Sequence, residues 1–323
     1  MEKTKVFISD CAHADIEPEK EVFAAHNVPY ERLFCKSQDE IIETCQGAVV
    51  LLNHYEIMDA HIFKNIPTLK LVVRYGVGYN NFNVEDATKY GVQLAYVPDY
   101  GINEVADHAL ALMLSVVRKV PTLNRRVHEG VWNYGEVTPI LRLADSTVGV
   151  VGMGRIGQNF AKRVHAMGCR VIGYDKFYGA PGFTVPDYVE MQGSVEDLLR
   201  QADIVSLHSA LNKETENMLN QERFAMMKDG AYIINTSRGR LIDERAMQQA
   251  LESGKIRAVG LDVTAIEPIP KDHPFLGMEN VVITPHCAWY SVGAARELKT
   301  KVAQQAVDFL QGKPVMYPIN QLT

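Results

Sequence analysis

Three charged residues late in the chain have the types and order of an acid–base site. Arg238 lies in Asn-Thr-Ser-Arg-Gly, Glu267 precedes a proline, and His286 ends Thr-Pro-His. Arginine offers a planar fork of donors that can hold a carboxylate and polarise a neighbouring carbonyl. Histidine can protonate the carbonyl oxygen, and a glutamate beside it stabilises the imidazolium and fixes its tautomer. The set therefore predicts hydride transfer at a carbon next to a carboxylate.

Taken singly, each of these residues has a simpler interpretation. A histidine after a strand is more often a solvated or capping residue, an arginine before glycine is usually a donor in a surface loop, and Glu267 could belong to a turn. Their joint order downstream of a dinucleotide motif favours the catalytic interpretation. Because ligands bind at the carboxyl ends of strands in open α/β sheets, we expect all three to face one crevice.

A glycine-rich loop between an apolar strand and a helical pattern predicts a dinucleotide site. The strand is predicted over 147–151 and the helix over 159–167, and the G-x-G-x-x-G motif between them comprises Gly152, Gly154, Arg155, Ile156 and Gly157. The first glycine permits a tight turn, the second lets the backbone approach a pyrophosphate, and the third lets the helix pack closely on the strand. The helix N-terminus then faces the phosphates.

An acidic residue after the next strand predicts the choice of cofactor. Asp175 follows a predicted strand over 170–174, 18 residues past the third glycine of the motif, where a carboxylate accepts hydrogen bonds from the adenosine ribose. Its charge repels a 2′-phosphate, which favours NAD over NADP, although the adjacent Lys176 weakens that preference. The alternative is a glycine-rich turn with an incidental acid, and the joint placement of strand, helix and acid disfavours it.

The elements around these motifs predict two α/β domains. Alternating apolar runs and amphipathic segments indicate parallel strands with crossover helices. An apolar helix over 103–120, ended by Pro121, must be buried, and 125–142 is interpreted as a projecting arm. The last helix is predicted over 292–311, packed on the first domain. Strands are predicted at 5–9, 48–52, 69–74 and 93–97 in the first domain, and at 147–151, 170–174, 203–207, 231–235, 258–263 and 281–284 in the second.

Composition excludes several classes of function. The 323 residues are 47% hydrophobic and carry a formal charge of −6, so no basic field favours nucleic acid. We expect no export signal and no membrane span, hence a cytoplasmic location. The five cysteines are scattered and never spaced as C-x-x-C, which predicts reduced thiols and no metal site. Cys287, beside His286, is interpreted as a small structural residue.

The whole set of motifs resembles the D-isomer-specific 2-hydroxyacid dehydrogenases. The resemblance is carried by residues 104–108, 152–157, 235–239, 261–263, 267–268 and 284–286, and it covers nearly the whole chain. It implies that Arg238 binds substrate, that Glu267 pairs with the base, and that His286 transfers the proton. It places Asp262 against the nicotinamide amide, and His208, Thr236 and Ser237 near the cofactor.

The same resemblance implies an architecture and an assembly. A Rossmann NAD-binding domain over 99–289 is expected to be inserted into a flavodoxin-like substrate domain formed by 1–98 and 290–323. The activity expected is hydride transfer between NAD(H) and the C2 carbon of a small 2-keto or 2-hydroxy acid of D configuration. The helix over 103–120 and its following arm imply a homodimer.

Two segments are similar to the C-terminal-binding protein branch, whose animal members are NAD-responsive transcriptional corepressors. These segments are 74–81 and 286–291. They supply a second hypothesis, an NAD-sensing scaffold that recruits peptides, although retention of the three charged residues favours chemistry. Formate oxidation on the same fold is disfavoured because formate dehydrogenases carry glutamine where this chain has Glu267.

The resemblance also implies substrate contacts. The backbone N–H groups of Val77 and Gly78 would hold the substrate carboxylate, and Trp289 would lie beside the substrate. Arg74 and His54 are weaker candidates. In the family the turn often ends Asp-Asn-Ile-Asp, whereas residues 80–83 read Asn-Asn-Phe-Asn, so the local charge is atypical. A role in the pocket and a role in core packing remain equally open for Tyr75, Tyr100 and Tyr290.

Overall fold

The chain folds as two compact units in the computed structural model, which describes residues 5–11 and 13–322. One unit comprises the chain up to Gly101 and from Ser291 onward, and the other comprises Ile102–Tyr290. The second unit is thus an insertion within the first. Its boundaries lie at 101/102 and 290/291, against 98/99 and 289/290 expected from the sequence.

The first unit alternates short strands with short helices. Its elements are β1 (Val6–Ile8), α1 (Glu17–Ala25), β2 (Tyr30–Arg32), α2 (Gln38–Thr44), β3 (Val50–Asn53), α3 (Ala60–Asn65), β4 (Leu71–Arg74), α4 (Val84–Lys89) and β5 (Gln93–Ala95), and the last helix of the chain, Val292–Leu310, also belongs to this unit. The five strands are parallel in the order β2-β1-β3-β4-β5. This is the flavodoxin-like order.

Two elements of this unit are absent from the sequence expectations. Strand β2 consists of Tyr-Glu-Arg at the sheet edge, and none of its residues is buried, so it shows no apolar run. Helix α3 has only six residues and follows its N-cap, Asp59, directly. By contrast, all four residues of β3 are buried, as the apolar run in its first three residues predicts for a strand covered on both faces.

The second unit contains a larger parallel sheet. Its elements are α5 (Ile102–Val117), α6 (Val120–His128), β6 (Thr147–Val151), α7 (Arg155–Ala166), β7 (Arg170–Tyr174), β8 (Val189–Met191), α8 (Val195–Gln201), β9 (Ile204–Leu207), α9 (Gln221–Met226), β10 (Ala231–Asn235), α10 (Glu244–Glu252), β11 (Ile256–Leu261) and β12 (Val281–Ile283), so Val292–Leu310 is α11. The sheet order is β12-β11-β10-β9-β6-β7-β8. This is the Rossmann order extended by one strand. The predicted fold class is confirmed.

Strand β6 lies at the centre of this sheet and contributes to the core on both faces. Val148 and Val150 pack in one buried cluster with Phe160, whereas Val151 packs in the cluster on the opposite face with Ile172. Successive side chains of a strand point to opposite faces of the sheet. A strand that helices cover on both faces is therefore largely apolar along its whole length. Its carboxyl end adjoins the point where the strand order reverses, which is where ligands bind in such sheets.

The segment after α5 corrects one expectation. Helix α5 ends at Val117, Lys119 adopts a left-handed backbone with φ +59°, and Pro121 lies in the first turn of α6. Proline is favoured at that position because its fixed φ suits the first turn and its missing N–H has no intrahelical partner to lose. The prediction of one helix over 103–120 ended by Pro121 is therefore wrong at its end, because the first helix stops at Val117 and Pro121 belongs to the next. The interpretation of 125–142 as a projecting arm stays a prediction. The expected burial of α5 is confirmed, with six of its side chains buried.

Among the described residues, no helix combines the length with the apolar composition that crossing a bilayer requires.

Substitutions of two phenylalanines test how the second unit is packed. Phe160 is a fully buried residue of α7, so Phe160→Ala should lower the free energy of unfolding by about 3–5 kcal/mol through lost burial and a residual cavity. Phe177 is 62% exposed, and Phe177→Ala should change it by less than about 0.5 kcal/mol. Urea unfolding measures both. Equal effects of the two variants would contradict the packing described.

Candidate active site

The glycine loop forms a tight turn between β6 and α7. Gly152 has φ +97°, and a Cβ on Gly157 would lie 1.9 Å from the carbonyl oxygen of Gly152, so α7 can approach the turn this closely only with glycine there. A Cβ on Gly154 would meet nothing within 4 Å, which leaves an open cradle beside the first turn of the helix. Arg155 is exposed and Ile156 half-buried in that turn. The backbone there can hold a pyrophosphate.

Asp175 joins the end of β7 to this turn. Its Oδ2 accepts a hydrogen bond from the Met153 N–H at 2.7 Å, and its Oδ1 accepts from the Phe177 N–H at 2.9 Å. A carboxylate has about four acceptor sites, so two remain for ribose hydroxyls. The side chain is half-buried at the place where the sequence predicts it to meet the cofactor.

Two shielded polar atoms follow β9 and β10. His208 Nδ1 and Thr236 Oγ1 are out of contact with solvent, and neither has a hydrogen-bond partner among the described residues. Burial lowers the pKa of His208 to about 3, so its ring is neutral, and its Nε2 lies 2.8 Å from Ser206 Oγ. Unsatisfied buried polar groups are rare without a ligand. These atoms, with the open glycine cradle, fit a bound dinucleotide.

Ser237 has a different environment from its neighbour Thr236. Its hydroxyl donates to the Leu207 carbonyl at 2.9 Å, and its N–H donates to Asn235 Oδ1 at 3.0 Å. These bonds tie the loop after β10 to the end of β9. The contacts observed for Ser237 are thus structural, and a cofactor contact stays a prediction.

The structure brings His286 and Glu267 together. His286 Nδ1 lies 2.6 Å from Glu267 Oε2, and Glu267 Oε1 accepts from the Thr264 N–H at 3.1 Å. Burial raises the pKa of Glu267, but the hydrogen bond and the charge of His286 outweigh it, and the pKa is lowered overall. Arg238 contributes to that lowering, which places its positive charge near the same carboxylate. The three residues form one electrostatic group.

A close approach between two loops makes this group possible. A Cβ on Gly239 would lie 1.9 Å from the carbonyl carbon of Thr264, so only glycine lets the loop after β10 approach the loop after β11 this closely. Arg238 precedes that glycine, and Glu267 lies three residues past Thr264. Gly239 was not assigned a role from the sequence, although the Ser-Arg-Gly spacing contains it.

Asp262 fixes the loop that carries His286. This buried carboxylate accepts from the Thr284 hydroxyl at 2.6 Å and from the N–H groups of Cys287 and Ala288 at 3.0 and 2.8 Å. The backbone N–H of His286 donates to the Asp262 carbonyl at 2.8 Å. The side-chain carboxylate and the backbone carbonyl of Asp262 thus both hold residues 284–288 in place.

The loop is held in a conformation that L-amino acids disfavour. His286 has φ +52°, a left-handed backbone that costs about 1–2 kcal/mol for a residue with a Cβ. Such a conformation persists only where its surroundings enforce it. His108 adds to that enforcement, because its Nε2 lies 2.8 Å from Thr284 Oγ1 and 3.6 Å from Asp262 Oδ1. Sequence reasoning missed the roles of Thr284 and His108, although both lie within motifs that it used.

The remaining predicted site residues divide between the two units. In the first unit Arg74 ends β4, where its guanidinium donates to the Tyr75 carbonyl, and Val77 and Gly78 are half-exposed in the turn that follows. In the second unit Trp289 is half-buried, with its ring edge-on to Tyr290 at 5.5 Å between centroids. Their contacts with substrate stay predictions.

Tyr75 takes the packing role that the sequence left open for it. Its side chain is buried, and its hydroxyl donates to Glu19 Oε1 at 3.0 Å.

Comparison with known proteins agrees with the site. Residues 110–288 match the model of the D-isomer specific 2-hydroxyacid dehydrogenase, NAD binding domain. A hydroxypyruvate reductase of Blautia hydrogenotrophica is 36% identical over 295 residues, which span 89% of this chain and 90% of that protein. The chain belongs to this family. It is an NAD-dependent 2-hydroxyacid dehydrogenase, and its cofactor is NAD.

Other relatives agree with this assignment. A glyoxylate reductase of Korarchaeum cryptofilum is 36% identical over 290 residues, 87% of this chain and 85% of that protein. A solved D-lactate dehydrogenase of Aquifex aeolicus, complexed with NAD and lactic acid, superposes with a TM-score of 0.88 at 25% identity and covers 98% of this dehydrogenase and 100% of that chain. These comparisons do not support the corepressor-like alternative, and the similarity to that branch stays a prediction.

The contacts of Asp262 generate a prediction. Asp262→Asn replaces one acceptor oxygen with a donor that opposes the loop amides, so we expect kcat to fall about 10²-fold through misplacement of His286. NADH affinity, measured by fluorescence titration, should change less than about threefold, as it should for the exposed control Asp272→Asn. A variant that loses NADH affinity but keeps the parent kcat at saturating NADH would instead assign Asp262 to the nicotinamide.

Proposed function

We propose that this dehydrogenase reduces a small 2-keto acid to the D-2-hydroxy acid with NADH, and catalyses the reverse reaction with NAD. The observation that carries the proposal is the 2.6 Å pair of His286 and Glu267, with the charge of Arg238 acting on the same carboxylate. A proton donor, a group that stabilises its cationic form and a carboxylate-binding cation are what reduction of a keto acid requires.

Each member of the group has one task in this reaction. Bound NADH supplies the hydride that reaches C2. Because Nδ1 of His286 is committed to Glu267, Nε2 is the atom left to protonate the carbonyl oxygen. Glu267, ionised at neutral pH, stabilises the imidazolium that serves as donor. Arg238 binds the substrate carboxylate and polarises the adjacent carbonyl.

The cofactor would be held by the loops at the carboxyl ends of β6, β7, β9 and β10. Gly152, Gly154 and Gly157 shape the turn for the pyrophosphate, with Arg155 and Ile156 in the first turn of α7. Asp175 would accept from the ribose hydroxyls. His208 Nδ1 and Thr236 Oγ1 would gain the partners that they lack among the described residues.

The substrate is proposed to be small. Two of the relatives at 36% identity are named hydroxypyruvate reductase and glyoxylate reductase, and hydroxypyruvate and glyoxylate are short 2-keto acids. We assign the carboxylate-binding backbone to Val77 and Gly78, and side-chain contacts to Arg74 and Trp289. The first unit is then the substrate domain and the second the NAD-binding domain.

A cytoplasmic homodimer is the proposed setting. No side chain of α6 is buried, and Trp132 and Tyr134, just beyond it, are 90% and 73% exposed, as expected of a surface that a second copy covers. The five cysteines are free thiols, which suits a reducing compartment. We propose that the protein binds small 2-keto or 2-hydroxy acids, and that it binds neither nucleic acid nor a membrane.

The role of His286 is tested by its removal. His286→Ala should lower kcat for reduction of hydroxypyruvate or glyoxylate by about 10² or more, because the proton donor is lost, while the NADH dissociation constant stays nearly unchanged. Loss of nicotinamide absorbance measures the rate. His165 is an exposed histidine stacked on Tyr188 in the same unit, and His165→Ala should keep the parent rate. Equal rates in His286→Ala and parent would exclude His286 from proton transfer.

The role of Asp175 is tested by cofactor choice. Asp175→Ala removes the charge that repels a 2′-phosphate, so the ratio of kcat/KM for NADH over NADPH should fall at least about tenfold. Asp187 is a separate acid of the same unit, and Asp187→Ala should leave the ratio unchanged. A ratio unaffected by Asp175→Ala would mean that another group reads the ribose.

A further inference from the structure

We propose that the first unit binds one zinc ion through Cys11, His13 and His54. One ligand atom from each of these side chains lies within 4.8 Å of the other two. Cys11 and His13 follow β1, and His54 follows β3, which pairs with β1 in parallel register. The two strands therefore deliver all three side chains to one edge of the sheet. The proposal does not rest on the proposed function.

The ligand set suits zinc. One thiolate and two imidazoles form a borderline-soft set, which zinc prefers over the oxygen ligands of magnesium or calcium. Four-coordinate zinc holds such atoms about 3.3–3.6 Å apart, so the side chains need to close by at most about 1.5 Å. Cys11 is buried, whereas His13 and His54 are half-buried. Three ligands leave a fourth position for water.

The backbone that carries His54 is fixed from within the sheet. Asp10, itself 8% exposed, accepts hydrogen bonds from the N–H groups of His54, Tyr55 and Glu56 at 2.8, 2.7 and 2.7 Å. The His54 ring stacks on Tyr55 at 3.9 Å between centroids and lies 5.0 Å from the His13 ring. Groups that orient the ligands in this way raise metal affinity, because less ordering remains for the ion to impose.

A second group in the described part of the chain has ligand atoms equally close together, but its carboxylate is already engaged. His108, Asp262 and Cys287 form that group. Asp262 already accepts from the Thr284 hydroxyl and from two backbone amides. An ion there would have to displace bonds that hold the His286 loop. The structure therefore does not favour that second group for an ion. The sequence predicted no metal because ligands from two separate strands have no diagnostic spacing.

Cobalt titration tests the proposal. The full chain, without a polyhistidine tag, is stripped with a chelator, kept reduced and titrated with Co²⁺, which reports coordination by its absorption spectrum. We expect one equivalent to bind with a thiolate-to-cobalt charge-transfer band, and one equivalent of Zn²⁺ to remove that band. Cys11→Ser should abolish the band, and His54→Gln should weaken Co²⁺ binding at least about tenfold.

Two thiols serve as controls. Cys35 is a half-buried cysteine of the same unit, and Cys287 belongs to the second group. Cys35→Ser and Cys287→Ser should both keep the band and the affinity. A parent without the band, a band that survives Cys11→Ser, or a band that Cys287→Ser removes would overturn the proposal. Circular dichroism checks that each variant is folded. If Cys11→Ser is unfolded, an unchanged Co²⁺ affinity in His54→Gln overturns the proposal. Reduction of keto acids by the stripped protein tests the proposed function separately.

Discussion

The second unit's chemistry depends on one buried carboxylate. Asp262 directly follows β11. Its carboxylate oxygens accept hydrogen bonds from the Thr284 hydroxyl and from two backbone N–H groups in the loop that follows β12. A buried charge is costly unless several donors surround it, and the loop supplies those donors. The same hydrogen bonds fix the conformation of the loop, including the left-handed backbone of His286. The position of the proton donor is thus set by an interaction that does not itself touch the donor's ring.

Contacts between loops at the ends of strands also position the other two members of the acid–base group, Arg238 and Glu267. Three neighbouring parallel strands, β10, β11 and β12, end at one edge, and the loop of each carries one functional side chain. Gly239 lets the first two loops touch, and the Thr264 N–H holds the Glu267 carboxylate toward His286. The charges then stabilise one another, because the lowered pKa of Glu267 reflects both His286 and Arg238. Topology brings the residues close, and local hydrogen bonds set their directions.

Much of this arrangement could be predicted from the sequence, for physical reasons. Buried strands such as β3 and β6 are largely apolar, and Gly152 and Gly157 of the glycine motif occupy positions where a Cβ does not fit. Edge strands β2 and β8 could not be predicted, because three residues with an exposed face show no apolar run. Pro121 was misread as a stop, since proline suits the first turn of a helix as well as the residue after one. The contacts of Asp262, Thr284 and His108 could not be predicted, because they depend on three-dimensional proximity between distant segments.

The central claim is that the ionised Glu267 carboxylate holds the His286 ring so that Nε2 is the atom that donates the proton. The pKa of Glu267 is lowered, so its carboxylate is ionised at neutral pH and loses its charge only as the pH falls through that lowered value. The most direct test is the pH profile of kcat/KM for keto acid reduction in the parent and in Glu267→Gln. The parent should lose activity as the pH falls through the lowered pKa of Glu267, because the protonated carboxyl no longer holds the His286 ring as an anion. The variant has no carboxylate to protonate, so it should be slower overall and lack this acidic decline. The same acidic decline in the variant as in the parent would contradict this account.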